Sequence, residues 1–349
     1  MLKIGIEQEF VFVDRDGRYL DAEVTDYSLF SGIVEDFPAI DGDDEYLECK
    51  SLEKYPKRVY VEGFELHDRN GKKLETIPKA LEIRTLPHAS VRAVLEDFQS
   101  SYAQVMRLAG RAGLSPVLTS RHPFKTAISL DHRLGTVEDK VRSAAEFALA
   151  RRAMLSHGLH VNVSLGDASS ERMQDLVQKI RYYSPALIPW SFSSPFFKGK
   201  AFEGLSTRNY FRAGTRSVVG VQKRHGVYLA EFRAFDTCGD ARLLRALLYL
   251  FSGFLLDESL PGRLAEQDPE RLKLSAIQGF ADPSLRKEGQ LILIAAASAL
   301  GGANEELKLL ETMLVENDSY AARMKRSFAK SSCIIDCISG LYDYGYRGE

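Results

Sequence analysis

Ile4-Gly5-Ile6-Glu7-Gln8-Glu9-Phe10-Val11-Phe12-Val13 reads as a strand with two unlike faces. Ile4, Ile6, Phe10 and Phe12 fall on one side of the alternation. Glu7 and Glu9 fall together on the other, about 7 Å apart on a chain that rises ~3.3 Å per residue. Side-by-side carboxylates repel unless positive charge sits between them, and a hard divalent cation taking oxygen ligands is the usual remedy.

Three later stretches repeat the device. Ala80–Thr85 puts Glu82 and Arg84 on one face, Gly158–Val163 does so with His160 and Asn162, and Tyr228–Phe235 with Glu231 and Arg233. If the four strands share one sheet, its polar face gathers three or more carboxylates, a histidine and two arginines. Its apolar face then needs a cover of helices. That is the geometry of a metal and phosphate site. A lone Glu-x-Glu on a strand is more often a solvated face, but here the flanks are apolar and the pattern recurs. His160 taken alone stays open between ligand and bystander. Arg233 reads equally as an ion-pair partner of Glu231 or as a planar clamp for phosphate oxygens.

The 349 residues, 45% hydrophobic and 27% charged, suffice for a soluble globular chain with a sizeable core. A formal net charge of -2 gives no sign of a nucleic-acid or membrane surface. No run is apolar enough to span a bilayer, and the immediate start of a strand leaves no room for a signal peptide. Cys49, Cys238, Cys333 and Cys337 form no CxxC pair, so reduced thiols and a cytoplasmic location are expected. The polar pairs run from Glu7 to Arg233, which predicts a catalytic sheet with helices over 1–240. A helical part of the same domain follows over 241–349.

Between these strands the pattern predicts a turn at Asp14–Gly17, a helix over 26–36 and a solvated acidic loop over 41–48. A hairpin follows, with one limb over 58–67, a turn at Arg69–Lys72 and a return limb through Glu75 to Glu82. Helices are expected over 89–113, 138–153 and 171–182, and a long irregular loop over 190–200. Beyond the Glu231 strand, helices are expected over 240–258, 282–301, 303–316, 318–331 and 333–343. No GxxxxGK[ST], no helix-opening GxGxxG and no GxSxG occurs, so Walker, Rossmann and serine-hydrolase readings lack support.

Several of these motifs match one family. Gly5-Ile6-Glu7-Gln8-Glu9-Phe10 with Val13-Asp14 resembles the GIExEF…VD opening of the carboxylate–amine ligases of the type 2 glutamate–cysteine ligase family. Glu75, with Leu81-Glu82-Ile83-Arg84-Thr85-Leu86-Pro87, resembles its E-x6-E segment, and Ser120–Pro123 its THP turn. Gly158–Val163 is similar to its GLHVHVG strand, and Ser193–Gly199 with Gly204, Ser206 and Arg208 to its NSPFWxG…TGxxSxR loop. Glu231-Phe232-Arg233 and Asp236 resemble its ExRxPD strand.

The resemblance implies an α+β, glutamine-synthetase-like fold, a curved antiparallel sheet with a catalytic concave face and helices behind it. It implies two or three Mg²⁺ ions held by Glu7, Glu9, Glu75, Glu82, His160 and Glu231, with ATP as co-substrate. Arg233 and Arg208 would contact phosphate or acyl-phosphate. The Ser193–Arg208 loop would line the substrate, which assigns Ser194, Lys198, Ser206 and, from the second strand, Arg84 to substrate or ATP binding. The partners implied are a small carboxylate, glutamate by default, and an amine. Apolar helix faces in the C-terminal third could also pair in a homo-oligomer.

Asn162 stands where the family has a second His, Phe197 where it has Trp, and Arg121 where a Thr is expected, and the Val59–Lys73 hairpin is longer than typical. These departures bear on substrate identity. Two other activities share the pattern: phosphorylation of a guanidino nitrogen, and non-catalytic binding of a nucleotide or amino acid.

Overall fold

The structure, a computed structural model, describes residues 2–49, 55–67, 70, 72–129, 144–166, 168–224, 226–302 and 305–345. Strand β1 (Lys3–Val13) lies at the centre of a seven-stranded antiparallel sheet. On one side come β3 (Lys73–Arg84) and then β2 (Val59–His67). On the other come β5 (Leu159–Ser164), β9 (Val227–Phe235) and β8 (Val219–Arg224), while the short β4 (Ser115–Val117) pairs with the end of β1. The sheet curls into a glutamine-synthetase-like half-barrel, and the class is α+β.

The apolar face of β1 packs against α3 (Val91–Arg111). Phe10 meets Phe98 and Tyr102 of that helix, with ring centroids 6.2 and 5.5 Å apart. Gln8 also points to this side, fully buried, and every polar atom of its amide is engaged. Its Nε2 donates to the Cys238 carbonyl and the Tyr344 hydroxyl, both at 3.1 Å, and its Oε1 accepts from the Cys238 amide at 3.0 Å. A buried amide without these partners would cost on the order of 1–3 kcal/mol.

At the other edge, Phe232 of β9 lies on Phe251 of α7 (Ala241–Leu256), with centroids 5.0 Å apart. Side-chain caps at Ser90, Ser169, Ser206, Asp240, Asp268, Asp282 and Ser319 start seven helices, each accepting from a first-turn amide. Removing one such cap typically costs ~1 kcal/mol. One hydrophobic core runs from Ile4 to Tyr344, so the first 240 residues and the C-terminal helices share it. Among the described residues no helix is long and apolar enough to cross a membrane.

The remaining expected helices are α1 (Tyr27–Asp36), α4 (Ala144–Ala153), α5 (Ser170–Leu187), α9 (Pro283–Ala299), α10 (Lys308–Glu316) and α11 (Tyr320–Ser331). Positions 138–143, Arg69 and Gly71 of the Arg69–Lys72 turn, and 303 and 304 lie outside the described residues. The 41–48 segment is not a purely solvated loop. It forms the short α2 (Asp43–Tyr46), and buried Asp43 pairs with Arg58 Nε at 2.6 Å.

Helix α5 runs five residues past Tyr182, through Pro185. An internal proline costs ~3 kcal/mol. Burying Tyr183 and Leu187 returns about 1.5–3 kcal/mol each, so packing prevails. The loop over 190–200 contains a 3-10 turn at Ile188–Ser191 and a small hairpin of β6 (Phe196–Phe197) and β7 (Lys200–Ala201). Two further helices appear, α6 (Thr207–Arg212) and α8 (Pro269–Gln278). The last helix, α12 (Ile334–Ile338), stops before Ser339, and the chain returns to the core, where the Tyr344 hydroxyl donates to the Cys238 carbonyl at 2.8 Å.

Candidate active site

Antiparallel register brings the polar pairs together. Glu7 stands opposite Arg84 on β3 and His160 on β5, Glu9 stands opposite Glu82, and Asn162 stands opposite Glu231. The result is two separate carboxylate groups.

The first consists of Glu7, His160 and Glu231, all half-buried, with ligand atoms within 4.8 Å of one another. His160 Nδ1 lies 3.3 Å from Glu231 Oε1 and 3.8 Å from Glu7 Oε2. Arg233 Nη2 donates to Glu231 Oε2 at 2.5 Å and so holds the carboxylate from the far side. A register shift beside His160 sets Leu159 against Phe235 and Val161 against Phe232, a bulge of the kind that re-aims side chains at sites. Two carboxylates and an imidazole nitrogen form a hard ligand set suited to Mg²⁺ or Mn²⁺.

The second group, Glu9, Glu62 and Glu82, is deeper. Lys79 Nζ lies 2.6 Å from Glu9 Oε1 and 3.6 Å from Glu62 Oε1, and the Gly158 amide donates to Glu9 Oε2 at 2.7 Å. Burial alone would raise the Glu9 carboxyl, but Lys79, His157 and His160 outweigh it and bring its pKa down to about 2. Glu82 goes the other way. Burial, then the charges of Glu62, Glu7 and Glu9, push it well above the usual carboxylate range, and its buried Oε1 has no hydrogen-bond partner among the described residues.

Beside the second group opens a cleft of about 320 Å³. Its lining includes Glu9, Glu62, Lys79 and His160 together with Arg121, Arg208, Arg212 and Arg216. Arg208 and Arg212 lie one turn apart on α6, and Arg208 Nη2 and Arg212 Nη1 each donate to the Arg233 carbonyl at 2.8 Å. That leaves Arg208 Nε and Nη1, Arg212 Nη2 and Arg121 Nε buried without hydrogen-bond partners among the described residues. Burial lowers all three guanidiniums, Arg121 to about 10. Buried cationic donors of this kind fit an anion. A Cβ at Gly158 would meet the Arg208 guanidinium where it now stands, so the glycine leaves room for that group.

Asp236, fully buried, sets the entry to α6. It accepts from the Ser193 amide at 3.0 Å, Ser194 Oγ at 2.9 Å, Ser206 Oγ at 3.1 Å and Asn209 Nδ2 at 2.9 Å. Ser194 and Ser206 are therefore spent inside the protein, positioning Arg208 from behind. Lys198 lies exposed at the β6–β7 turn, its Nζ 5.5 Å from the Phe197 ring centroid, and does not line the cleft. Arg84 is buried, stacks on Tyr60 at 4.9 Å and donates to the Lys57 and Glu48 carbonyls at 2.9 and 2.8 Å.

Glu75 sits opposite Leu66 near the end of the β2–β3 hairpin and joins neither carboxylate group. The structure thus brings Glu7, Glu9, Glu82, His160, Glu231, Arg233 and Arg208 together. It adds Glu62, Lys79, Arg121 and Arg212, which the strand alternation did not single out.

The profile of glutamate–cysteine ligase family 2 matches residues 3–218. The chain belongs to this family. Among curated relatives in it, one from Ruegeria pomeroyi, provisionally named glutamate–cysteine ligase 2, is 29% identical over 204 residues, 58% of this chain and 43% of that protein. Another, from Rubrobacter xylanophilus and provisionally named glutamate–cysteine ligase 2-3, is 30% identical over 255 residues, 71% of this chain and 63% of that one. The chain thus spans less than two thirds of either relative.

Two solved structures share the fold. The bifunctional glutathione synthetase from Pasteurella multocida superposes with a TM-score of 0.63 at 15% identity, over 97% of this chain and 51% of that one. The ligase PafA, in complex with the prokaryotic ubiquitin-like protein Pup, gives 0.56 at 14%, over 96% and 71%.

Proposed function

We propose that the chain is an ATP-dependent ligase that joins a small carboxylic acid to an amine through an acyl-phosphate. The observation that carries this reading is adjacency: a hard-cation ligand set at Glu7, His160 and Glu231 next to a cleft with buried guanidinium nitrogens that lack hydrogen-bond partners among the described residues. Phosphoryl transfer from ATP to a carboxylate gathers negative charge on three groups at once, and catalysis then consists largely of positioning and charge stabilisation. Mg²⁺ held by Glu7, His160 and Glu231 would supply neutralisation of the β- and γ-phosphates.

Arg233, fixed through its Glu231 bond, keeps a buried Nε available for a phosphoryl oxygen. Arg208, Arg212 and Arg121 would orient the acid. A carboxylate oxygen of the acid attacks the γ-phosphorus and ADP leaves. The amine nitrogen then attacks the acyl carbon and phosphate leaves with the bonding electrons. Phe197, Phe211 and Leu149 in the cleft wall limit the water that would hydrolyse the intermediate.

Residues 1–240 supply the reacting side chains, and 241–349 back the sheet. The names carried by the relatives make glutamate the default acid and cysteine one amine among several, and the cytoplasm is the expected compartment. The test is ADP release from Mg-ATP across a panel of acids and amines, given singly and in pairs. Release that needs both supports the ligase. Release with a single guanidino compound makes it a kinase, and nucleotide binding without release makes it a binding protein.

A further inference from the structure

Lys79 stands where a second ion would be expected. Its Nζ lies 2.6 Å from Glu9 Oε1 and 3.6 Å from Glu62 Oε1, and it donates to the carbonyls of Ser156 at 3.1 Å and Ala153 at 3.5 Å. Two carboxylates and two carbonyls are the oxygen set of a hard cation, closed here around an ammonium. A compact point charge with three donors suits such a pocket better than a planar guanidinium would.

The strand itself delivers the group. Glu62 faces Ala80 while Gly63 faces Pro78, so Lys79 is the extra residue of a bulge in β3. A bulge turns its extra side chain out of the regular alternation, here into the carboxylates. Lys79 is 6% exposed, so water does little to screen it from a second positive charge brought to the same oxygens.

We propose that Lys79 is a built-in cation and that the Glu9–Glu62–Glu82 group takes no divalent ion while it is present. The nucleotide-free protein then binds one ion, at Glu7, His160 and Glu231, in place of the two or three implied by the resemblance. The proposal rests on the ligase reading only for the class of ion.

Mn²⁺ titration of the full chain, stripped of metal and nucleotide and followed by the electron paramagnetic resonance of free Mn²⁺, tests it. One ion per chain is expected. Glu7→Gln should weaken that ion at least about 100-fold, and Glu62→Gln should leave it unchanged. Lys79→Ala, checked for folding by circular dichroism, should bind two ions, and the added Glu62→Gln change should return it to one. Two ions on the parent chain, no ion at all, or loss of an ion on Glu62→Gln overturns the proposal. So does a folded Lys79→Ala that still binds one. If Lys79→Ala does not fold, the Glu7→Gln and Glu62→Gln titrations decide alone. The ion count needs no turnover, so a failed ligase assay and a failed count are separate results.

Discussion

Glu7 and Glu9 stand two residues apart on one face of β1, and their surroundings diverge. Glu7 meets His160 and Glu231 at a half-open edge, with Arg233 holding the group from the side. Glu9 is 6% exposed, accepts a hydrogen bond from the Gly158 amide and one from the Lys79 ammonium, and shares its group with a Glu82 oxygen that has no hydrogen-bond partner among the described residues. The pair in the sequence is symmetric; the neighbouring strands break the symmetry. One carboxylate is left poised for a mobile cation and the other is locked to a fixed one.

The largest expected effect separates the two on activity. Glu7→Gln should lower ADP release on the order of 10³-fold with a smaller loss of stability than Glu9→Gln, since Glu7 is only half-buried. Glu9→Gln should abolish turnover too, but it also strips a buried lysine of its nearest carboxylate. A loss of roughly 3–5 kcal/mol in urea unfolding is expected, as for other broken buried pairs. Equal stability of both variants would erase the distinction.

A smaller effect concerns the arginines that line the cleft. Arg121→Ala should raise the KM for the acid about tenfold, the scale of one lost charged contact, with kcat nearly constant. An equal fall in kcat with KM unchanged would place Arg121 on the transition state instead.

The smallest effect is a matter of pH. Glu9 has its folded pKa depressed to about 2 from 4.5, so its contribution is complete above ~4.5 and is lost as pH falls toward 2. Glu82 has its folded value raised, so its contribution is present below ~4.5 and is lost as pH rises through the raised value. Glu82→Gln should therefore stabilise the metal-free chain at pH 8 by about 1 kcal/mol and leave it unchanged at pH 4. The same variant less stable at pH 8 would mean that Glu82 is ionised and paired there.

What strand alternation could reveal, it did. The period of two fixed the faces of Glu7, Glu9, Glu82, His160 and Glu231 before any neighbour was known, and the sheet followed from them. Lys79 was hidden for the same reason. It is three residues from Glu82, which regular alternation puts on the opposite face, and the bulge that reverses this is set by pairing with β2. Glu62 lay in a strand already recognised, but one carboxylate among Val, Gly and Phe reads as solvated.

Arg212 had an available signal, since it is four residues after Arg208, yet α6 is six residues long and too short for periodicity to show. Glu75 was assigned to metal through its motif alone. At ~3.3 Å per residue, seven residues carry it roughly 20 Å along the strand from Glu82. Only the motif of their loop points Ser194 and Ser206 toward a substrate; the buried Asp236 beside them draws both hydroxyls inward.

The most direct test of the central claim follows an oxygen atom. The acid found by the panel is labelled with ¹⁸O in both oxygens of the reacting carboxylate and turned over with Mg-ATP and the amine, and the phosphate released is weighed by mass spectrometry. Activation through an acyl-phosphate predicts one ¹⁸O in each phosphate. Amide formation with unlabelled phosphate would contradict it, because the carboxylate would then never have attacked phosphorus.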